Sequence, residues 1–185
     1  MLYAQALIIA HRLKAGFEPF CIQTEIAGSV RRGTKTEVKD IEIACRPKLT
    51  PEFDLFDSKI GEHPTELLDY LHNVFEKEHH YIKGKERYRQ YALTDGINLD
   101  LFIIWPPAQW GIEFLRRTGP AEYSQWMVTL RSKNGACPSH LRFEHGAIWS
   151  NNHIIETPTE QSVFDLYGLP FVEPAKRQPL WGGAS

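Results

Sequence analysis

The tightest constraint on this chain is a pair of short apolar segments that each contain acid. In Asp40-Ile-Glu-Ile-Ala-Cys45 carboxylates alternate with isoleucines, and in Asn98-Leu-Asp-Leu-Phe-Ile-Ile104 Asp100 sits inside the most apolar strand-like run of the sequence. Residues two apart on a strand project to one face. Ile41 and Ile43 are therefore expected to enter a core while Asp40 and Glu42 point the other way. Leu99, Leu101 and Ile103 are likewise expected to be buried opposite Asn98 and Asp100. A carboxylate in such a strand is costly to bury unless it is paired or bound to a metal ion.

The flanking sequence supplies an α+β set of elements. Leu2, Ala6, Ile9, Ala10 and Leu13 recur at helical spacing, with Gly16 as the expected stop. A β-branched run over 21–26 predicts a strand that ends in a glycine-flanked basic turn, Gly28-Ser-Val-Arg-Arg-Gly33. The second strand, 40–45, is stopped by Pro47, and residues 48–61 are rich in turn formers. Pro64 suits the first turn of a helix bearing Leu67, Leu68, Leu71 and Phe75. Two short strands are expected over 81–93 around Gly84, and Asp95-Gly96 is a hairpin signal leading into the strand 97–104. Pro106-Pro107 marks a lobe boundary, giving lobes 1–105 and 106–185. Beyond it, helices are expected over 110–116 and 123–130, a hairpin around 144–146, and a last helix over 160–167 behind the cap signal Thr-Pro-Thr-Glu at 157–160. Gly182 to Ser185 are expected to fray.

Composition narrows the setting. Of 185 residues, 42% are hydrophobic and 24% charged, as in ordinary soluble domains. No apolar run approaches the ~20 residues of a membrane span, and the opening residues lack a basic leader and a cleavage site. Cys21, Cys45 and Cys137 stand far apart without metal spacing, as buried thiols of a reducing compartment do. An intracellular location is expected, in cytoplasm or nucleoid, or host cytoplasm for a virus-encoded protein. The net charge of −2 does not advertise a nucleic-acid binder. The cations are nevertheless clustered at Arg31, Arg32 and Lys35, at Lys83, Lys85, Arg87 and Arg89, and at Arg116 and Arg117, and phosphate contacts depend on such local patches.

The acids suggest chemistry. Paired carboxylates repel and stay ionised beside a divalent cation, and hard oxygen ligands suit Mg²⁺. Two acids on one strand and one on its neighbour can hold two ions about 3.5–4 Å apart for in-line phosphoryl transfer. By itself an Asp-x-Glu strand is commonly a solvated face, and Asp100 alone could be a satisfied strand-end carboxylate. The basic turn changes the balance: Gly28 and Ser29 let backbone N–H groups and a hydroxyl approach phosphate, and Arg32 adds a forked cation. Lys83, Lys85, Arg87 and Arg89 read equally as a phosphate-backbone track or a solvated strand face. His79 and His80 point apart on an extended segment and do not suggest a metal site. Among Trp105, Trp110, Trp126, Trp149 and Trp181, core packing is expected for most, with base stacking as the other role.

Together these motifs resemble the nucleotidyltransferase superfamily and, within it, the family X (beta-like) DNA polymerases. AGSVRRGTKTEVKDIEIACR at 27–46 is similar to that family's palm signature, and NLDLFII at 98–104 to the strand holding its third metal carboxylate. RTGPAEYSQWM at 117–127 resembles the segment beside the incoming nucleotide, and TPTEQSVFDLYGLPFVEPAKR at 157–177 the end of the thumb. The resemblance implies a palm, a mixed sheet with helices on one face, plus a small thumb, without lyase and fingers domains. It implies that Asp40 and Glu42 bridge two Mg²⁺ (or Mn²⁺) ions, that Asp100 holds the catalytic ion and accepts the primer proton, that Ser29 and Arg32 bind the β- and γ-phosphates beside Gly28, and that Thr118 and Gly119 flank the sugar. The implied activity is transfer of a nucleotide from dNTP to a DNA primer 3′-hydroxyl in gap filling, by a monomer. Glu42 stands where the family usually has Asp, Arg116 and Arg117 replace its aromatic pair, and Asn98 replaces an arginine. Transfer to a small-molecule, protein or RNA acceptor, and a non-catalytic DNA-end-binding module, are the rival readings.

Overall fold

The structure, a computed structural model, describes residues 1–56 and 58–178. Gly182–Ser185 and Trp181, on which two of the expectations fall, lie outside the described residues. Along the chain come α1 (Tyr3–Phe17), β1 (Cys21–Ile26), the short α2 (Gly28–Arg32), β2 (Asp40–Pro47), β3 (Thr50–Phe53), β4 (Lys59–His63), α3 (Thr65–Tyr70), α4 (Glu76–Glu78), β5 (His80–Lys85), β6 (Tyr88–Ala92) and β7 (Asn98–Ile103). They are followed by α5 (Trp110–Thr118), α6 (Ala121–Val128), β8 (Arg142–Glu144), β9 (Ala147–Ser150), β10 (His153–Ile155) and α7 (Glu160–Tyr167). The fold is α+β. Two compact units share these elements: residues 1–26 with 37–105, and Ala27–Thr36 with the chain from Pro106 onward. The basic segment Ala27–Thr36 groups with the second of these units.

The first unit is built on a mixed five-stranded sheet in the order β1-β2-β7-β6-β5. Its centre is the parallel pair β2–β7, in which Ile41 meets Leu99 and Ile43 meets Leu101; the other pairs are antiparallel. Ile41, Ile43, Leu99, Leu101 and Tyr91 have no solvent exposure. They form one face, covered by α1 and by the helical run 65–78. Tyr91 meets Phe75 edge to face at 5.0 Å, and Phe75 meets Phe17 at 5.3 Å. That contact explains why α1 does not stop at Gly16: another residue of helix brings Phe17 into the core, 1% exposed. The run 65–78 is longer than its apolar pattern indicates, with a π-helical turn at Leu71–Phe75 joining α3 to α4.

Residues 48–61, read from the sequence as turns, contain the hairpin β3–β4. The Asp54 carboxylate accepts from the backbone N–H groups of Phe56 and Ser58 and shapes its tip. Asp95-Gly96 joins β6 to β7 as expected, with Gly96 at φ 79°. Cys21, Cys45 and Cys137 are buried free thiols.

The second unit packs α5, α6 and α7 around Ile112, Leu115, Met127, Val163 and Phe164. The three-stranded sheet β10-β9-β8 adds Ile148 to that core. The expected hairpin at 144–146 is the β8–β9 turn. The last helix is capped by Thr159, whose hydroxyl accepts from the Ser162 N–H while the Ser162 hydroxyl accepts from the Thr159 N–H. Ser162 takes the reciprocal role in the box, leaving Glu160 for another. Gly111 lets α5 press on the segment before α7: its N–H donates to the Thr157 carbonyl at 2.7 Å, and a Cβ there would stand 2.1 Å from the Thr159 oxygen. Gly111→Ala therefore forces backbone apart, and a loss of about 1–3 kcal/mol is expected from overpacking, measured as a lower urea midpoint by tryptophan fluorescence.

Candidate active site

In the first unit, the face of the sheet away from the helices bears the acids. The β2–β7 register sets Glu42 directly opposite Asp100 and Asp40 opposite Asn98. All three acids are half-buried, while their neighbours Ile41, Ile43, Leu99 and Leu101 are sealed on the other face. The alternation that opened the sequence reading thus holds in both strands.

Among the described residues no cluster of three or more His, Cys, Asp or Glu side chains is arranged to hold a metal ion. The Asp100 carboxylate is engaged on its β6 side: Tyr88 donates its hydroxyl to Oδ1 at 2.9 Å and Gln90 its amide Nε2–H to the same oxygen at 2.8 Å. Both donors are neutral, so they orient the carboxylate without neutralising its charge. The donor set, three carboxylates on one face of adjacent strands with Glu42 and Asp100 in register, fits a small divalent cation in kind. Tyr88 and Gln90 were not singled out in the sequence. The Asp-Gly turn holds the signal for them, because β6 and β7 pair symmetrically about Asp95 and Gln90 must then face Asp100.

In the second unit, Gly28, Ser29 and Arg32 lie on α2, and Thr118 and Gly119 at the end of α5. The basic turn is a one-turn helix. Gly28 enters it at φ 59° and Gly33 closes it at φ 63°, both in the left-handed region that glycine adopts without strain. Arg32 donates to the Thr118 carbonyl at 2.6 Å, bringing these expected phosphate and sugar residues together. Ser29 is buried, 8% exposed. Gly119 is closely wrapped, since a Cβ there would meet Tyr123 Cδ1 at 2.8 Å.

Arg31 anchors the turn. It donates to the Thr118 hydroxyl at 2.7 Å and to both oxygens of Glu160, at 2.9 and 2.6 Å, and its guanidinium covers the Phe114 ring at 4.1 Å. Arg177, whose side chain has no exposure, donates to the same carboxylate at 2.7 Å. Burial pushes the Glu160 carboxyl upward, but the hydrogen bonds and charges of Arg31 and Arg177 outweigh it, and the group is held below its ordinary range. Arg116 and Arg117 both reach Glu113.

The remaining cations divide. Lys83 and Lys85 lie on edge strand β5, paired with Gln90 and Tyr88. Arg87 donates to the Trp105 carbonyl and lies 4.5 Å from its ring. Arg89 is on the helix side, ion-paired to Glu76 at 2.8 Å. The four thus form no continuous track. His79 packs on Phe75 at 4.5 Å, and Trp110 and Trp126 are core residues.

No family model matches the chain. Over 86 residues it is 31% identical to DNA polymerase lambda of Rattus norvegicus, a family X member; the match covers 43% of this chain and 15% of that polymerase. The chain is therefore similar, over part of its length, to a family X polymerase. Among the described residues, no helix is long and apolar enough to cross a membrane.

Glu160 gives a stability test. Its depressed folded-state pKa means the contribution is complete above the ordinary glutamate value of 4.5 and is lost as pH falls through the lower folded value. Glu160→Gln leaves Arg177 buried without a counter-charge. A loss of about 3 kcal/mol is expected at neutral pH, with a flatter dependence of the urea midpoint on pH below 4.5 than in the parent protein.

Proposed function

We propose that this protein is a metal-dependent nucleotidyltransferase of the DNA polymerase kind, extending a DNA primer 3′-hydroxyl from dNTP with release of pyrophosphate, with gap filling in repair as its role. The observation that supports this best is the register of Glu42 against Asp100 with Asp40 on the same face. Partial similarity to a polymerase and the motifs at 27–46, 98–104, 117–127 and 157–177 point the same way. On this reading residues 1–105 make up a palm and residues 106–185 a thumb.

Asp40, Glu42 and Asp100 would hold Mg²⁺ or Mn²⁺, two ions in all, which when bound neutralise charge developing on the phosphates. Asp100 accepts the proton leaving the primer hydroxyl as its oxygen bonds to the α-phosphorus and the bond to pyrophosphate breaks. Ser29 and Arg32 bind the β- and γ-phosphates, with Gly28 allowing close backbone approach. Thr118 and Gly119 flank the sugar. Lys83 and Lys85 contribute to backbone contact with DNA. Catalysis is then mostly positioning and electrostatics.

Primer extension on gapped DNA with Mg²⁺ or Mn²⁺ tests the proposal; a folded sample that incorporates nothing with either metal overturns it. Asp100→Ala is expected to cut incorporation by on the order of 100-fold or more, several kcal/mol of transition-state stabilisation, while DNA retention in a gel-shift assay is unchanged. Unaltered turnover would remove Asp100 from the chemistry. Arg32→Ala is expected to raise the KM for dNTP by about tenfold, the loss of one charge-assisted contact, in steady-state kinetics.

A further inference from the structure

We propose that Tyr88 and Gln90 are positioning residues for Asp100, fixing Oδ1 from the β6 side so that Oδ2 is presented for the divalent cation. The inference rests on the nucleotidyltransferase reading and assigns it two residues that the motifs do not include. Among the described residues, both hydrogen bonds to the Asp100 side chain land on Oδ1, at 2.9 Å from Tyr88 and 2.8 Å from Gln90. A carboxylate has two oxygens and about four acceptor sites. Filling two sites on one oxygen leaves the other as the natural ligand.

The two donors are built in, not incidental. Gln90 stands opposite Asp100 in the β6–β7 register, and Tyr88 opposite Phe102. The Tyr88 ring stacks on Phe102 at 5.4 Å with 27° between planes, so the hydroxyl is aimed by packing. Phe102 is 7% exposed, so the surface on which the half-buried Tyr88 ring stacks is part of the core. Neutral donors are the choice that suits a cation ligand. An arginine in either place would compete with the metal for the charge, whereas a phenol and an amide fix orientation and leave the full negative charge available. Residues that hold a ligand in this way contribute substantially to metal affinity, typically 10–100-fold.

The test uses the full chain and Mn²⁺ alone, titrated by calorimetry, with primer extension as a second readout. Tyr88→Phe keeps the stack on Phe102 and removes the hydroxyl; Gln90→Met keeps the length and removes the amide. Each is expected to weaken Mn²⁺ binding by about tenfold. Each should also lower kcat at fixed metal while the KM for dNTP changes by less than about twofold, because nucleotide contacts are untouched. Gln90→His, which restores an N–H donor, is expected to recover part of the Mn²⁺ affinity. Melting temperatures serve as the control on folding. If Asp100→Ala abolishes Mn²⁺ binding but Tyr88→Phe and Gln90→Met bind like the parent, the positioning role is wrong and the function stands. If the folded parent protein binds no Mn²⁺ and extends no primer, both fall together. Equal loss of binding and melting temperature in both variants, with no recovery in Gln90→His, assigns the pair to stability and also overturns the proposal.

Discussion

Everything in the first unit depends on the parallel pairing of β2 with β7. Parallel neighbours cannot be joined by a tight turn and need a long crossover; here residues 48–97 supply it, comprising β3, β4, the helical run and β5–β6. The pairing is fixed by which side chains may be sealed. A slip of one residue in β2 would drive Asp40 and Glu42 under the helices and put Ile41 and Ile43 in water, and a slip in β7 would do the same to Asp100 against Leu99 and Leu101. Burying a carboxylate without a partner is costly, and that cost opposes a slip of either strand. The acids thus help specify the fold.

The second unit solves its charge problem in another way. One buried carboxylate, Glu160, is shared by two arginines that come from opposite ends of the chain, Arg31 and Arg177. Taking such charges out of water is repaid only when geometry and hydrogen bonding are nearly complete, and here Thr118 and the Phe114 face complete the surroundings of Arg31. The neighbouring Arg32 turns to the Thr118 carbonyl. Two adjacent arginines with the same chemistry have therefore been given different work by their directions on a single helical turn.

Much of this was legible in the residues. Period-two alternation located β2 and β7 and their acidic face, helical spacing located α1, and the Asp-Gly turn located the β6–β7 hairpin. What escaped was set by distant partners. Phe17 belongs to α1 because Phe75 and Tyr70 lie across from it, which no local signal at Gly16 reveals. The hairpin at 50–63 is built from Pro, Asp and Ser that read as turn formers, and its strands are exposed, so no apolar alternation marks them. Arg89 looked like its neighbours in a basic run, but an odd–even position on β6 sends it to Glu76 while Gln90 faces Asp100. The segment 27–36 reads as a basic turn that ends the first strand, and its partners Thr118 and Glu160 lie far along the chain.

That interleaving has a genetic corollary. The polypeptide leaves its first unit after Ile26, contributes ten residues to the second, and returns at Glu37 before leaving again after Trp105. Neither half corresponds to a contiguous stretch of coding sequence. A fragment starting at Pro106 would inherit Glu160 and Arg177 but not Arg31, and recombination with a crossover at that proline would unite a guanidinium and a carboxylate from different ancestors. Selection must then treat both stretches of the message as a single heritable unit.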